Sequence, residues 1–367
     1  MTRGKANMNV NRNAMQSTMQ STKQSTKQKT ITMALAVLLT LSMLMSLTAC
    51  ANTAANTDSS QATGQSQNQS DSSKTDTSNI GVPTEPITFT DDLGNEITVE
   101  NPQRVVACMG SFANAWQLAG GSLIGASDDA FSDYGVSSTS TKKVGDFSAL
   151  SLEAIIDLEP DFVILTGAST GKGGTASQKE LRESLVASDI AAACFTVTTF
   201  ADYQRVFGIF CEITGRSDLY KTNCEDIAVK INNIVAKVTK SDAPTVLIMT
   251  TYSGGTRVQD SSTLTGDIFA SLGAVNLAEQ NPSLLRDFSL EAIIDMNPDF
   301  IFVVPMGNDA ASALRGLEDA TAANPAWATL EAVQNGKYIT LDPEHFQYKP
   351  NNKWDESYQI IYNYLYS

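Results

Sequence analysis

The stretch SLEAIIDLEPDFVIL, Ser151 to Leu165, returns later in the chain as SLEAIIDMNPDFIFV, Ser289 to Val303. The residues Ser, Leu, Glu, Ala, Ile, Ile, Asp, Pro, Asp and Phe hold the same places in both copies. Self-similarity at this distance within one chain indicates a duplicated structural unit. The sequence therefore predicts two similar lobes, and two lobes imply a cleft between them.

Each copy has the pattern of one helix followed by one strand. In the first copy, Ser151 suits a helix N-cap, and apolar residues follow it at helical spacing. Pro160 disfavours helix at the residue before it, so the helix is expected to end there. Phe162 to Leu165 is then a short, continuously apolar run, which is typical of a strand buried on both faces of a parallel sheet.

The first 49 residues have the composition of an export signal. They carry six Lys or Arg and no acid, and Ile31 to Leu47 is apolar apart from small hydroxyl residues. The ending Leu47-Thr48-Ala49-Cys50 resembles the lipobox of bacterial lipoproteins. That resemblance implies cleavage before Cys50, acylation of its thiol and a lipid anchor on the extracytoplasmic face of the cell membrane. An uncleaved membrane anchor is the alternative, although the apolar run is short for a span of about 20 residues.

Residues 50–82 are almost wholly small and polar, with no aromatic residue. Such a segment cannot bury enough apolar surface to order itself, so we interpret it as a flexible tether. Residues 50–367 retain 19 basic and 40 acidic residues, a formal net charge of −21. Nucleic-acid binding requires a basic surface, and this composition argues against it.

The folded body divides into three predicted parts. Residues 83–199 begin with a hairpin and then alternate strands with helices, as in an α/β lobe. Residues 200–242 contain no strand pattern. They predict one helix ending at Gly215 and a second, beginning at Ser217, of over 20 residues and about 30 Å. Residues 243–367 repeat the α/β pattern and end in a helix.

Four cysteines remain after the leader, and their spacings match no zinc pattern. Cys108 and Cys194 lie in apolar runs, as buried core residues do. Cys211 and Cys224 flank the predicted helix break at Gly215, and a disulfide between them is left open.

Taken together, the lipobox, the tether, the hairpin before NPQRVV and two lobes with LEAI…PDFVI units resemble the helical-backbone class of ABC-importer substrate-binding proteins. The likeness covers about residues 86 to 367. It implies an α/β fold of two lobes with mainly parallel central sheets, joined by one long helix, with the ligand cleft between the lobes. It also implies a permease and its ATPase as partners. Members of this class serve the uptake of iron siderophores, haem and cobalamin.

Glu153 and Glu291 occupy the same place in the two SLEAI motifs. The resemblance implies that each carboxylate pairs with an arginine of the permease. The alternative is a purely local role, because an acid in the first turn of a helix complements the helix dipole.

Loops at the carboxyl ends of parallel strands line the clefts of α/β proteins. This rule nominates as ligand-binding residues Met109, Ser111, Phe112, Thr166, Gly167, Tyr252, Arg257 and Met306. Ser111 at a helix start suits an anionic group, and Arg257 suits carboxylate or catecholate ligands. His345, the single histidine, follows the last strand; a ligand contact and a solvated loop position are both open.

The run GASTGKGGT, Gly167 to Thr175, departs from the phosphate-loop pattern in both its glycine spacing and the residue after its lysine. The chain has no GxSxG motif, and its single histidine argues against a site for a free zinc or manganese ion. These absences favour a binding protein without catalysis or cofactor. The resemblance to the substrate-binding class implies an iron chelate, a siderophore or haem, as its ligand, and we expect the protein to be monomeric. Cobalamin is the second candidate ligand, and an extracellular enzyme on the same scaffold is the alternative from another class.

Overall fold

The computed structural model describes residues 85–167, 175–238, 243–307 and 309–367. The leader, the tether and Cys50 lie outside these residues. The strands of the first lobe are β1 Ile87–Thr90, β2 Glu96–Val99, β3 Val105–Ala107, β4 Gly125–Ala126, β5 Lys142–Lys143, β6 Gly145–Asp146, β7 Ala149–Leu150, β8 Phe162–Thr166 and β9 Ala191–Phe195. Its helices are α1 Gly110–Leu118, α2 Asp128–Ser132, α3 Leu152–Ile156 and α4 Thr175–Val186.

The central sheet of the first lobe has the strand order β5-β4-β3-β8-β9, and every neighbouring pair in it is parallel. All five residues of β8 are buried, as the continuous apolar run predicts. The predicted N-terminal hairpin is present, with Ile87 opposite Val99 in an antiparallel register. Asp91, in its turn, accepts the backbone N–H of Cys194 and so fixes the hairpin to β9.

The residues between the lobes form two helical segments. The first is α5, Phe200–Thr214, which a Thr199–Asp202 capping box starts and a left-handed Gly215 ends, as predicted. The second is continuous in its helical backbone over residues 217–235, which we call the linking helix. It consists of α6 Ser217–Tyr220, a π-helical turn Lys221–Glu225 and α7 Asp226–Val235.

The linking helix differs from the prediction, which was one uninterrupted helix of over 20 residues. It has 19 residues, about 28 Å at the α-helical rise, and a π turn interrupts it. Within that turn, the buried Asn223 side chain donates to the Leu219 carbonyl at 2.9 Å. A side-chain amide that competes for a helix carbonyl favours such a local change of winding.

The second lobe contains the strands β10 Thr245–Tyr252, β11 Gly255–Val258, β12 Val275–Asn276, β13 Phe300–Pro305 and β14 Tyr338–Thr340. Its helices are α8 Leu264–Ser271, α9 Leu277–Gln280, α10 Leu290–Met296, α11 Ala310–Ala322, α12 Glu331–Gln334, α13 Pro343–Phe346 and α14 Trp354–Tyr366, with 3₁₀ turns at Pro325–Thr329 and Asn351–Lys353. The sheet order is β11-β10-β13-β14, with β12 beside the start of β10. β11 pairs antiparallel with β10, and the other pairs are parallel.

The two repeats fold alike, which confirms the duplicated unit. In each, a serine caps a short helix, and the strand that follows is an interior strand of its sheet, with a neighbour on both sides. Glu159 and Asn297 hold equivalent positions before the proline and adopt left-handed φ angles of 47° and 43°. The same backbone reversal therefore ends the helical turn in both copies, although only Asn tolerates that conformation readily.

One apolar cluster runs through both lobes. It includes Val105 and Phe162 of the first sheet, Ile231 of the linking helix, and Val246 and Phe302 of the second sheet. Smaller clusters fill the outer face of each sheet. The C-terminal helix closes the shared cluster, with the Trp354 ring fully buried and 5.9 Å from the Phe200 ring.

The structure corrects one local expectation and answers one question that the sequence left open. The polar sequence of residues 128–143 is typical of a loop, but these residues contain α2 and the edge strand β5. Cys211 and Cys224 are buried free thiols rather than a disulfide, and burial raises the pKa of the Cys211 thiol to about 12. Among the described helices, none has the length and apolar character that crossing a bilayer requires.

Candidate functional site

The carboxyl ends of strands from both lobes meet at one short segment. After β14 and α13, residues Gln347–Lys349, which we call the cleft segment, run back toward the first lobe. Gln347 Nε2 lies 3.0 Å from the Met306 sulfur at the end of β13. Lys349 Nζ lies 3.7 Å from the Met109 sulfur at the end of β3. Side chains that follow strands of both sheets thus converge on this segment.

Lys349 projects against the first lobe. Its Nζ lies 5.5 Å from the centroid of the Phe112 ring, a cation–π distance, and its carbonyl accepts the Tyr134 hydroxyl at 3.4 Å. Burial lowers the pKa of the Lys349 ammonium to about 8, and the Asp129 carboxylate opposes that shift. The site therefore holds a lysine that is only modestly favoured in its charged form at neutral pH.

Asp129 organises the first-lobe side of this site. Its Oδ2 accepts the Gly110 N–H at 2.8 Å, at the first residue of α1. Burial raises the pKa of the Asp129 carboxyl. Gly110 is required there, because a Cβ on it would lie 2.8 Å from both the Ala130 nitrogen and the Tyr134 ring. This close approach sets α1 against α2 and places Ser111 and Phe112 at the cleft.

Ser111 lies in the first turn of α1 and is 1% exposed. Its carbonyl accepts the Asn351 side-chain amide at 2.9 Å, and the same amide donates to Asn114 Oδ1 at 2.8 Å. Its Oγ is buried with no hydrogen bond of normal geometry, although the Tyr134 hydroxyl lies close to it. Asn351, from the second lobe, thus holds the start of α1 in place.

Thr166 and Gly167, at the end of β8, are held through hydrogen bonds from their backbone N–H groups. The Thr166 N–H donates to Gln178 Oε1 at 2.9 Å, and Gln178 Nε2 donates to the Cys108 carbonyl at 3.0 Å. The Gly167 N–H donates to the Phe195 carbonyl at 2.8 Å. The buried Gln178 therefore ties the ends of β3 and β8 together. The rest of the glycine-rich run, residues 168–174, lies outside the described residues.

Tyr252 and Arg257 face each other across the β10–β11 hairpin. The Arg257 guanidinium carbon lies 4.9 Å from the centroid of the Tyr252 ring. Thr250 and Arg257 are paired in the antiparallel register. Arg257 is exposed, so its charge is accessible beside the end of β10.

His345 is held by acidic neighbours. Its Nδ1 lies 3.0 Å from both oxygens of Asp342, and its Nε2 lies 3.3 Å from Glu356 Oε2 on α14. Both ring nitrogens therefore have partners within the second lobe. This arrangement gives His345 a local structural role, and its ligand contact stays a prediction.

Glu153 and Glu291 are both exposed. In the part of the chain that the structure describes, neither carboxylate forms a salt bridge. The salt bridges there involve other acidic residues. Both charges are accordingly available to another molecule. Their pairing with a permease stays a prediction.

Sequence reasoning missed several residues of this site, namely Asp129, Tyr134, Gln347, Lys349 and Asn351. A signal for Gln347 to Lys349 was present, because they follow the last strand at its carboxyl end. Asp129 and Tyr134 gave no such signal, because the region around them was interpreted as loop.

Among the residues that the structure describes, no group of three His, Cys, Asp or Glu side chains forms a metal site. An open surface depression between α7 and α14 is lined by Lys230, Lys237, Asp355 and Glu356. It lies along the linking helix rather than at the strand ends. The cleft segment therefore remains the candidate ligand site.

Comparisons with known proteins agree with this architecture. The sequence model of the periplasmic binding protein family matches residues 105–345. The iron(3+)-hydroxamate-binding protein FhuD of Bacillus subtilis is 25% identical over 278 residues, which cover 72% of this chain and 81% of FhuD. Staphylococcus aureus SirA, solved with staphyloferrin B, aligns with a TM-score of 0.57 at 21% identity, covering 76% of this chain and 98% of SirA. S. aureus IsdE, solved with haem, aligns with a TM-score of 0.55 at 18% identity, covering 72% and 99%.

Proposed function

This chain belongs to the periplasmic binding protein family, and on that premise we propose that it captures an iron chelate, a ferric siderophore or haem, for an ABC importer. The ligand binds between the lobes, at the cleft segment Gln347–Lys349. The observation that carries the proposal is the convergence of strand ends from both lobes on this segment, at Met109 and Met306.

The ligands named for similar proteins support the choice of an iron chelate. FhuD is named for ferric hydroxamate, SirA was solved with a siderophore and IsdE with haem. A chelated iron also suits this chain, because the chelator supplies the metal ligands that a chain with one histidine lacks. The protein acts by binding alone and delivers the chelate without chemical change.

Delivery requires a membrane partner, for which we propose the permease and ATPase of the importer. Glu153 and Glu291 are the docking residues, because the duplicated fold exposes one carboxylate at the same position of each lobe. A lipid on Cys50 holds the protein at the extracytoplasmic face of the membrane, and residues 50–82 give it reach.

Titration of the purified protein with ferric siderophores, haemin and cyanocobalamin tests the proposal. Ferric and haem ligands absorb in the near ultraviolet and visible, so binding quenches the fluorescence of Trp116, Trp327 and Trp354. We expect saturable quenching by at least one iron chelate at micromolar concentration or below. Quenching by cyanocobalamin alone, or by no ligand of the set, would reject the iron-chelate assignment.

A further inference from the structure

Lys349 makes no salt bridge within the part of the chain that the structure describes. Among the described residues, no carboxylate oxygen lies within 4.0 Å of its Nζ, and its contacts are the Met109 sulfur and the Phe112 ring. Asp129 is the acid that acts on it electrostatically, and Asp129 uses its Oδ2 to cap α1 at Gly110. The ammonium thus rests on an aromatic face and a thioether.

A half-buried ammonium is normally paired with a carboxylate, because removal from water disfavours an isolated charge. Cation–π contact and a thioether offset only part of that loss. An anionic group of a ligand placed beside Nζ would supply the missing counter-charge. The absence of a direct counter-ion at Lys349 therefore favours ligands that carry a negative charge.

The first lobe offers further donors at the same place. The N–H groups in the first turn of a helix have no acceptor within the helix. In α1, Met109 supplies no side-chain cap, and the Gly110 N–H donates to Asp129 on α2. The Ser111 hydroxyl is buried there and makes no hydrogen bond of normal geometry. A helix N-terminus, a buried hydroxyl and an ammonium together suit an oxygen anion.

A local positive charge in the cleft contrasts with the acidic character of the rest of the protein. Residues 50–367 carry a formal net charge of −21, so the surface as a whole repels anions. A neutral ligand would need no cation in such a protein and would leave Lys349 unpaired. An anionic ligand needs a local cation to overcome the general repulsion.

Building on the proposed function, we infer that the cleft selects an anionic chelate, one that presents carboxylate or catecholate oxygens, and that Lys349 pairs with that group against the start of α1. Neutral ferric hydroxamates and cobalamin are then the disfavoured ligands. Haem belongs to the favoured class through its carboxylates.

The test compares matched ferric chelates, namely an anionic tricatecholate, an anionic carboxylate siderophore, haemin and a neutral trihydroxamate. The protein is used as wild type, Lys349→Met, Lys349→Arg and Lys337→Met. Lys337 is the matched control, because it is a half-buried lysine 4.4 Å from the Phe300 ring at the start of β13, the opposite end of that strand from the cleft. Dissociation constants come from fluorescence quenching, and thermal unfolding verifies that each variant is folded.

We expect wild type to prefer at least one anionic chelate. Lys349→Met should weaken that chelate about tenfold to a hundredfold and leave the trihydroxamate unchanged. Lys349→Arg should restore most of the affinity, and Lys337→Met should match wild type. An unaltered anionic affinity in Lys349→Met, or a wild-type preference for the trihydroxamate, overturns this inference while the proposed function stands. Failure of wild type to bind any chelate overturns both.

Discussion

Glu153 and Glu291 occupy the same position in two helices that the duplicated fold builds in the same way. Each is the second residue of its helix and follows the N-cap serine by two places. Ser151 Oγ accepts the Ala154 N–H at 3.1 Å, and Ser289 Oγ accepts the Ala292 N–H at 3.2 Å. The capping fixes the backbone under each glutamate while both carboxylates stay exposed, so a partner would meet two matching charges.

Reversal of both charges should therefore separate delivery from capture. We predict that the double variant Glu153→Lys/Glu291→Lys binds its chelate as wild type does but supports at least about tenfold less uptake, because like charges would then face the permease. Uptake of labelled chelate by cells measures delivery, and quenching measures capture. Reversal of Glu183 and Glu318, exposed helix acids of the two lobes, is the control. Full uptake by the double variant would remove the docking assignment.

Lys349 should lower the free energy of unfolding of the protein, although it contributes to binding of the chelate. The pKa of its ammonium falls to about 8, against roughly 10.4 in the unfolded chain, so the unfolded state binds more protons between these values. The stability of wild type should then rise with pH through this window, and the advantage of Lys349→Met should shrink there. At pH 7 we predict that Lys349→Met is more stable by about 1–2 kcal/mol.

Urea unfolding at pH 7, 8, 9 and 10 measures this difference. Lys337→Met, assayed alongside, is the control for removing a half-buried lysine elsewhere in the fold. A less stable Lys349→Met at pH 7 would mean that Lys349 is a packing residue of the folded state.

Arg257 should contribute to affinity but not to stability. Its guanidinium is exposed and packs on Tyr252, so its removal disturbs little of the core. We predict that Arg257→Ala weakens binding of an anionic chelate about tenfold and changes the free energy of unfolding by less than about 0.5 kcal/mol. Arg315→Ala, on an exposed helical position of the same lobe, is the control. Equal affinities for the two variants would dismiss Arg257 as a ligand contact.

Asp91 should be a stability residue of the first lobe. Its side chain is fully buried, accepts the N–H groups of Leu93, Asn95 and Cys194, and lies 3.4 Å from the Arg182 guanidinium. We predict that Asp91→Ala lowers the free energy of unfolding by about 3 kcal/mol, because it leaves a nearly buried arginine unpaired.

Denaturant unfolding measures the effect of the Asp91 substitution. Asp226→Ala is the comparison, because it breaks an exposed ion pair with Lys221 and should lower the free energy of unfolding by at most about 1 kcal/mol. A loss of similar size in the two variants would show that the hairpin is not fastened through Asp91.

The fold could be predicted in large part because its signals are local. Capping residues, a left-handed Gly215 and the apolar run of β8 each act through neighbours in the chain, and their predicted elements are present. The π turn in the linking helix was missed because it depends on a single side chain, Asn223, within an otherwise regular helical pattern. The antiparallel β11 was missed because its pairing to β10 depends on the hairpin as a whole.

The candidate site was predictable only in part. Strand ends pointed to Met109 and Met306, which contact the cleft segment, and to Ser111, whose carbonyl accepts from Asn351. Their contact with a ligand stays a prediction. His345 satisfied the same rule, but Asp342 and Glu356 engage both of its nitrogens. A position after a strand places a residue near the cleft, whereas the direction of its side chain depends on partners that are distant in sequence.

The sequence by itself determined the duplication, the two lobes and the positions of Glu153 and Glu291, because repeats and periodicity are properties of the chain. Only the tertiary structure placed Lys349 on Phe112, 237 positions earlier in the sequence, and set Asp129 at the start of α1. The physical reason is that an ammonium's charge state and partners follow from what surrounds it in space. The ligand preference inferred for this protein is therefore a property of the folded cleft.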